Sequence, residues 1–355
     1  MMCSVVGAVA LLSATVNRHE PTPLKLVYPG YFGNRITVPD DNPTTEEGVR
    51  LGRMLFYETA MSSSHKVSCA TCHKQELAFT DGLRFSAGHD GTPQVRNTMS
   101  LANLLWVRRL FWDGRANSLE DQALIPLTQA HEMGQAMDVS VKNLQALPAY
   151  RRLFTAAFGS DNITEKAVVK ALAQFERTLI SADSKYDRYL QGKYSPTASE
   201  KAGMALFFAN PDPAKGVRGA GCGHCHGGPK TFVELFHNNG LDSIAADKGR
   251  QPITGQPFDE GRFRVPTLRN IALTAPYMHD GRFATLEEVV DHYNSGLKSS
   301  AMLSVFLKEA SNEAGGKSLR LTVQERADVV AFLRMLTDST FITNPLFSDP
   351  FTKSR

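Results

Sequence analysis

Apolar residues recur at helical spacing in four stretches of the chain. Thr45-Glu-Glu-Gly-Val-Arg-Leu-Gly-Arg-Met-Leu-Phe56 opens on a Thr cap signal and an acidic first turn, then runs apolar on one helical face. Ser199-Glu-Lys-Ala-Gly-Met-Ala-Leu-Phe-Phe208 repeats that pattern in degenerate form. Each copy predicts a helix leading into a loop. Residues 167–190 (AVVKALAQFERTLISADSKYDRYL) are compatible with one further helix, and Gln191-Gly-Lys-Tyr-Ser-Pro196 reads as a linker. Residues 322–336 have a capped start and an apolar stripe at Val329, Val330, Phe332, Leu333 and Leu336, which predicts a core helix. Residues 81–98 and 227–262 are rich in Gly, Pro, Asp and Asn and predict long loops, which often carry function. Strand signals are few, so the fold class predicted is mostly α.

Length changes this picture by doubling it: 355 residues predict two domains, one per helix copy. With 42% apolar and 21% charged residues the composition is globular, which excludes disorder, collagen and coiled coil as the main architecture. The net charge of +3 and the absence of any long basic run set nucleic acid aside as a partner.

The cysteines supply the chemistry. Four of the five form two motifs, Cys69-Ala-Thr-Cys72-His73 and Cys222-Gly-His-Cys225-His226, 153 residues apart. C-x-x-C-H is the attachment signature of a c-type haem: two thiols add to the vinyl groups and the adjacent His is placed to ligate the iron. A single copy is also compatible with a zinc knuckle or a redox pair. A zinc site using all four cysteines leaves both histidines unexplained.

Residues 5–12 form an apolar run of signal-peptide length, too short to span a bilayer, although no basic residue precedes it and no clean cleavage site follows. Bacterial haem attachment follows export, so the motifs favour the periplasm. Cys3 precedes the run and reads as part of a removed segment, 1–23. No later run approaches the length of a membrane helix.

Between the motifs stand Arg96-Asn-Thr98, Phe111-Trp-Asp-Gly-Arg-Ala-Asn-Ser-Leu-Glu-Asp-Gln-Ala123, Pro126 and Glu132-Met133. The second half holds Gly261-Arg-Phe-Arg-Val-Pro-Thr-Leu-Arg-Asn270, Leu273-Thr-Ala-Pro-Tyr-Met-His-Asp-Gly281 and Thr285-Leu-Glu-Glu-Val-Val-Asp-His-Tyr-Asn294. From about residue 40 to 340 the chain resembles the bacterial di-haem cytochrome c peroxidase/MauG superfamily. That resemblance implies two cytochrome c-like domains, each with one covalently bound c-type haem. The N-terminal domain, 24–192, would carry the peroxidatic haem 1. The C-terminal domain, 193–345, would carry the electron-transfer haem 2, with 346–355 a tail.

The same resemblance implies roles residue by residue. His73 and His226 are the proximal iron ligands. Glu132 is the acid–base group above haem 1, a sensible use of a carboxylate in a mostly apolar pocket. Gln122 is its hydrogen-bonding neighbour, and Pro126 shapes the pocket. Trp112 lies between the haems and relays electrons; Trp106 matches no motif and reads as packing. One calcium ion is held partly by Asn97, Thr274 and Pro276, the last two through backbone carbonyls, oxygen donors that suit Ca²⁺. His279 is expected near a haem propionate.

Three positions distinguish the relatives. Tyr293 stands where haem 2 takes its distal ligand, as in MauG, whereas electron-accepting peroxidases use Met; Met278 and His292 are rival ligands nearby. A Tyr ligand favours oxidised iron and stored oxidising equivalents. His89, in Ser86-Ala-Gly-His89, is either a reversible cap on haem 1, as in many peroxidases, or a solvated loop histidine. Ala220 replaces a surface Trp through which MauG draws electrons from its protein substrate.

Three functions compete. The first is a peroxidase reducing hydrogen peroxide to water with electrons from a small periplasmic cytochrome c or cupredoxin. The second is a MauG-like enzyme that uses peroxide to oxidise residues of a partner protein. The third is a non-catalytic di-haem electron carrier, which would leave Glu132 and Gln122 without purpose. A homodimer is common among such peroxidases, but no seam for one is visible in the sequence.

Overall fold

The computed structural model describes residues 20–351; the predicted signal run, Cys3 and His19 lie outside the described residues. The helices in chain order are α1 Glu46–Phe56, α2 Cys69–Cys72, α3 Leu119–Thr128, α4 Met137–Gln145, α5 Pro148–Phe158, α6 Glu165–Arg177 and α7 Lys185–Leu190. The second half adds α8 Ala198–Phe208, α9 Gly223–His226, α10 Gln251–Thr254, α11 Leu286–Asp291, α12 Val305–Lys308, α13 Val323–Arg334 and α14 Ser339–Thr343. Short 3-10 turns punctuate them. The one ladder among the described residues pairs β1 Phe236–His237 with β2 Phe263–Arg264, antiparallel, Phe236 opposite Arg264. The mostly α expectation is met.

The sequence repeat is also a packing repeat. α1 packs against α6, and α8 against α13. In each pair a glycine permits the contact. A Cβ on Gly52 would stand 1.9 Å from the carbonyl oxygen of Ala171, and one on Gly203 would stand 1.7 Å from that of Asp328. No side chain fits at that approach. Cap chemistry starts these helices: Thr45 Oγ1 accepts from the Gly48 amide, and Thr197 exchanges a reciprocal pair of bonds with Glu200. The cap of the second copy is therefore Thr197, two residues before the predicted start. Thr322 and Glu325 form the same box ahead of α13.

The expected helix over 167–190 is interrupted. α6 ends at Arg177, and α7 restarts at Lys185 behind a Ser184–Asp187 capping box. The amides of Ala182 and Asp183 both donate to Asp338 Oδ2 at 2.9 Å, a bond a helical backbone could not make. Asp187 also pairs with Arg269 at a site where neither side chain meets solvent. A long-range carboxylate and a strong cap thus override favourable helical spacing.

Two main cores result. The first gathers Leu51, Leu55, Phe56, Phe79, Leu172 and Phe175, and is joined by Phe341 and Phe347 from the C-terminal segment. The second gathers Phe207, Val329, Val330, Phe332, Leu333 and Leu336, and is joined by Tyr186. The predicted 322–336 stripe is buried as expected. Trp106 packs beside Phe32 and Tyr28, with its indole donating to Gly33 O at 3.0 Å. Among the described residues no helix is long and apolar enough to cross a membrane.

Candidate functional site

Each C-x-x-C-H motif forms a single helical turn at the edge of its own cavity. In α2, the Ser68–Thr71 capping box starts the turn, and the i, i+3 spacing brings the Cys69 and Cys72 thiols to one side. His73 follows as the C-cap. Its Nδ1 is 2.8 Å from the carbonyl oxygen of Phe79. A carbonyl only accepts, so the proton is on Nδ1 and the lone pair is on Nε2. The second motif repeats this in α9: His226 Nδ1 bonds Pro266 O at 3.1 Å. Burial lowers the pKa of both rings, that of His226 to about 4, which keeps them neutral, as metal ligands must be. All four cysteines are unpaired.

The first cavity, about 440 Å³, is bounded by Cys69, Cys72 and His73, and also by Gln122, Pro126 and Glu132. α3 and the loop after it hold the latter group. Pro126 has no amide to give to Gln122, and α3 ends two residues later at Thr128. The chain then turns back: Met133 N donates to Pro126 O at 3.1 Å and Gly134 N to Gln129 O at 3.0 Å. This presents Glu132 to the cavity. Burial raises its carboxyl pKa, and Arg115 partly opposes the shift. Arg115 donates to Asp113 at 2.9 Å and lies 3.7 Å over the Phe111 ring.

The second cavity, about 230 Å³, is bounded by Cys222, Cys225, His226, Met278, His279 and Tyr293. Tyr293 sits on a π-helical turn, His292–Gly296, that continues α11. Such turns re-aim side chains and recur at functional sites. Burial pushes its hydroxyl pKa up to about 12, with the side chain of Asn239 pulling the other way. Asn239 also donates to Met278 Sδ at 3.3 Å. His292 does not line the cavity; its Nε2 bonds Asn239 O at 3.0 Å.

The two cavities share a wall. Asn97, Thr98, Met99, Ser100, Leu104, Trp112 and Arg264 face both. Thr274 and Pro276 join Asn97 around the second cavity. His279 stacks on Phe263 at 3.7 Å, and its carbonyl accepts the Asn97 amide at 2.7 Å. Ala220 is buried with Leu319 and Leu321 in the cluster against which Tyr293 packs. His89 is not among the first cavity's lining residues; its Nε2 lies 3.0 Å from Ala130 O and its amide donates to Glu132 O at 2.8 Å.

The residues present fit two covalently attached haems. Each chamber has a thiol pair, an imidazole with a free Nε2, and a buried polar atom without a protein partner: Gln122 Oε1 in the first, His237 Nε2 in the second. Sequence reasoning gave no role to Arg264, Asn239, Arg115 or Glu176. Arg264 lies in the Gly-Arg-Phe-Arg-Val-Pro-Thr stretch, which was the available signal. Glu176 is an unmarked helix residue, and no local pattern flags it.

Residues 46–195 match the sequence family described as di-haem cytochrome c peroxidase. The chain is 39% identical over 302 residues to the methylamine utilization protein MauG of Methylorubrum extorquens, covering 84% of this chain and 80% of that protein. It is 36% identical over 254 residues to the cytochrome c551 peroxidase of Nitrosomonas europaea, covering 70% and 73%. The crystal structure of a MauG-like protein associated with microbial copper homeostasis superposes with a TM-score of 0.83 at 40% identity, over 92% of this chain and 99% of that one.

Proposed function

Because the chain belongs to the di-haem cytochrome c peroxidase family, whose members are oxidoreductases acting on peroxide, we propose that it reduces hydrogen peroxide to water at the first cavity. Electrons come from a small periplasmic cytochrome c or cupredoxin by way of the second cavity. The observation that carries this reading is one chamber that collects Cys69, Cys72 and His73 together with Gln122, Pro126 and Glu132. When bound, the c-type haems would supply the redox chemistry; Cys69 and Cys72 with His73 would hold the first, and Cys222 and Cys225 with His226 and Tyr293 the second.

The protein's own groups do the rest. Glu132 takes a proton from one peroxide oxygen and hands it to the other, so that the second leaves as water rather than hydroxide. Gln122, its Oε1 uncommitted, orients the peroxide by hydrogen bonding. Trp112, in the wall common to both chambers, links the electron store to the reaction site.

Calcium belongs in the same proposal. Asn97, Thr274 and Pro276 all line the second cavity, and their amide and carbonyl oxygens are donors that suit Ca²⁺. Segments 24–192 and 193–345 act as the two cytochrome c-like domains, each lending a side chain to the other's core through Tyr186 and Phe341, and the protein is exported. A MauG-like oxidation of a partner protein is the second reading. Tyr293, rather than a Met on the π-turn, favours it.

The test is donor turnover by the holoprotein. Two reduced cytochrome c molecules oxidised per peroxide support the first reading. Peroxide loss without donor oxidation, together with oxidised side chains on an added protein, overturns it in favour of the second.

A further inference from the structure

Peroxide reduction consumes two protons and two electrons for each hydrogen peroxide and yields two waters. Glu132 only moves a proton that peroxide already carries. The other two protons come from solvent, and a buried chamber needs a route for them.

The seam between α3 and α6 is built for one. Glu176, on α6, lines the first cavity and is 5% exposed. Its Oε2 is fully enclosed and meets no hydrogen-bond partner among the described residues. Around it stand further buried polar atoms without protein partners: Glu120 Oε2 and the Nε and Nη1 of Arg177. Arg177, 1% exposed, spends its Nη2 on Glu120 Oε1 at 2.5 Å, and Asn42 donates to that same oxygen at 2.5 Å. The Glu120 side chain is 15% exposed, so solvent reaches this end of the cluster beside the enclosed Oε2. Orphaned buried polar atoms in native proteins are normally satisfied by ordered water. Water threaded between such atoms makes a proton path.

We propose that Glu176 is the inner end of a proton-supply route running along the α3–α6 seam from Glu120 to the first cavity, delivering the two solvent protons that each peroxide consumes. The proposal rests on the peroxide-reducing reading above. The charged and titratable groups facing Glu176 are Arg177 on its own helix and Glu120 from α3; the Cys69 sulfur from α2 also faces it, and becomes a non-titrating thioether once haem is attached. The Arg177–Glu120 pair is internally neutral, which leaves Glu176 as the extra carboxyl. Burial lifts its pKa to about 8, so it is a protonated donor at neutral pH. Each delivered proton leaves Glu176 as a carboxylate that Glu120 and the intervening water reload.

The experiment uses the holoprotein in two phases: mixing with peroxide, then return to the resting spectrum with reduced cytochrome c. In Glu176→Gln, which keeps the shape but carries no transferable acid proton, the return phase slows by on the order of tenfold or more relative to the peroxide phase. It also gains a solvent deuterium isotope effect, and Glu176→Asp recovers part of the rate. A wild-type protein inert to peroxide overturns the peroxidase reading and the route with it. A reactive wild type whose Glu176→Gln variant returns at the unaltered rate and isotope effect overturns the route alone. If Glu176→Gln does not load haem, the solvent-end variant Glu120→Gln decides by the same phase: slowed return supports the route, and unaltered return overturns it.

Discussion

The indole Nε1–H of Trp112 donates to the carbonyl of Asn97 at 2.8 Å, and both residues face both cavities. The wall between the chambers is thus one tied unit, fixed further by the Arg264 amide bonding Trp112 O at 2.7 Å. Trp112→Phe keeps an aromatic ring but removes the indole and its bond. We expect electron exchange between the chambers to slow by about tenfold, equivalent to ~1.4 kcal/mol on a barrier. Redistribution kinetics after half-reduction of the holoprotein check this, and an unaltered rate removes Trp112 from the electron path.

Glu132 works as a base when ionised. Burial raises its pKa, so the peroxide-dependent rate falls as pH drops through that raised value, above the ordinary carboxylate range. Glu132→Gln lowers the rate by roughly 10²–10⁴-fold and abolishes this acid limb. A pH series of peroxide rate constants for both proteins reads it directly.

Tyr293 and Met278 both reach the second cavity, whereas His292 is held on Asn239 O. With Tyr293 as the haem 2 ligand, Tyr293→Met raises that haem's potential, because a thioether favours reduced iron. Met278→Leu leaves the potential near that of the wild type. A spectroelectrochemical titration separates the two, and the reverse pattern makes Met278 the ligand.

The Arg269–Asp187 pair is fully enclosed and ties α7 to the 3-10 turn region after β2. Its guanidinium also bonds Ser184 Oγ at 3.0 Å and Pro229 O through Nε at 3.0 Å. Arg269→Met strands a buried carboxylate and costs about 3–5 kcal/mol of folding free energy. The denaturant midpoint of the holoprotein shows it as a large decrease with an unaltered slope.

Much of this architecture was legible because it rests on local chemistry. The caps at Thr45 and Thr322, the stripe in α13 and the two haem motifs are short-range patterns. The paired helices were readable as a repeat, although the role of Gly52 and Gly203 emerges only when the facing backbones are in place. The break between α6 and α7 was not legible, since it depends on Asp338, more than 150 residues further along the chain. The same holds for the site. Cysteines and histidines announce themselves by spacing, whereas Glu176 and Arg264 acquire meaning from what tertiary packing buries beside them. His89 lay at a spacing compatible with a ligand, yet its ring is held on Ala130 O beside the loop that carries Glu132.

That last geometry makes the central claim testable. Fully oxidised holoprotein, with calcium and without reductant, is mixed with one equivalent of hydrogen peroxide and followed in the Soret band. With His89 off the first cavity and Glu132 facing it, the spectrum changes rapidly on mixing. A spectrum that stays silent only until the protein is half-reduced places His89 on haem 1 in the resting enzyme, and one that stays silent even after half-reduction contradicts the account.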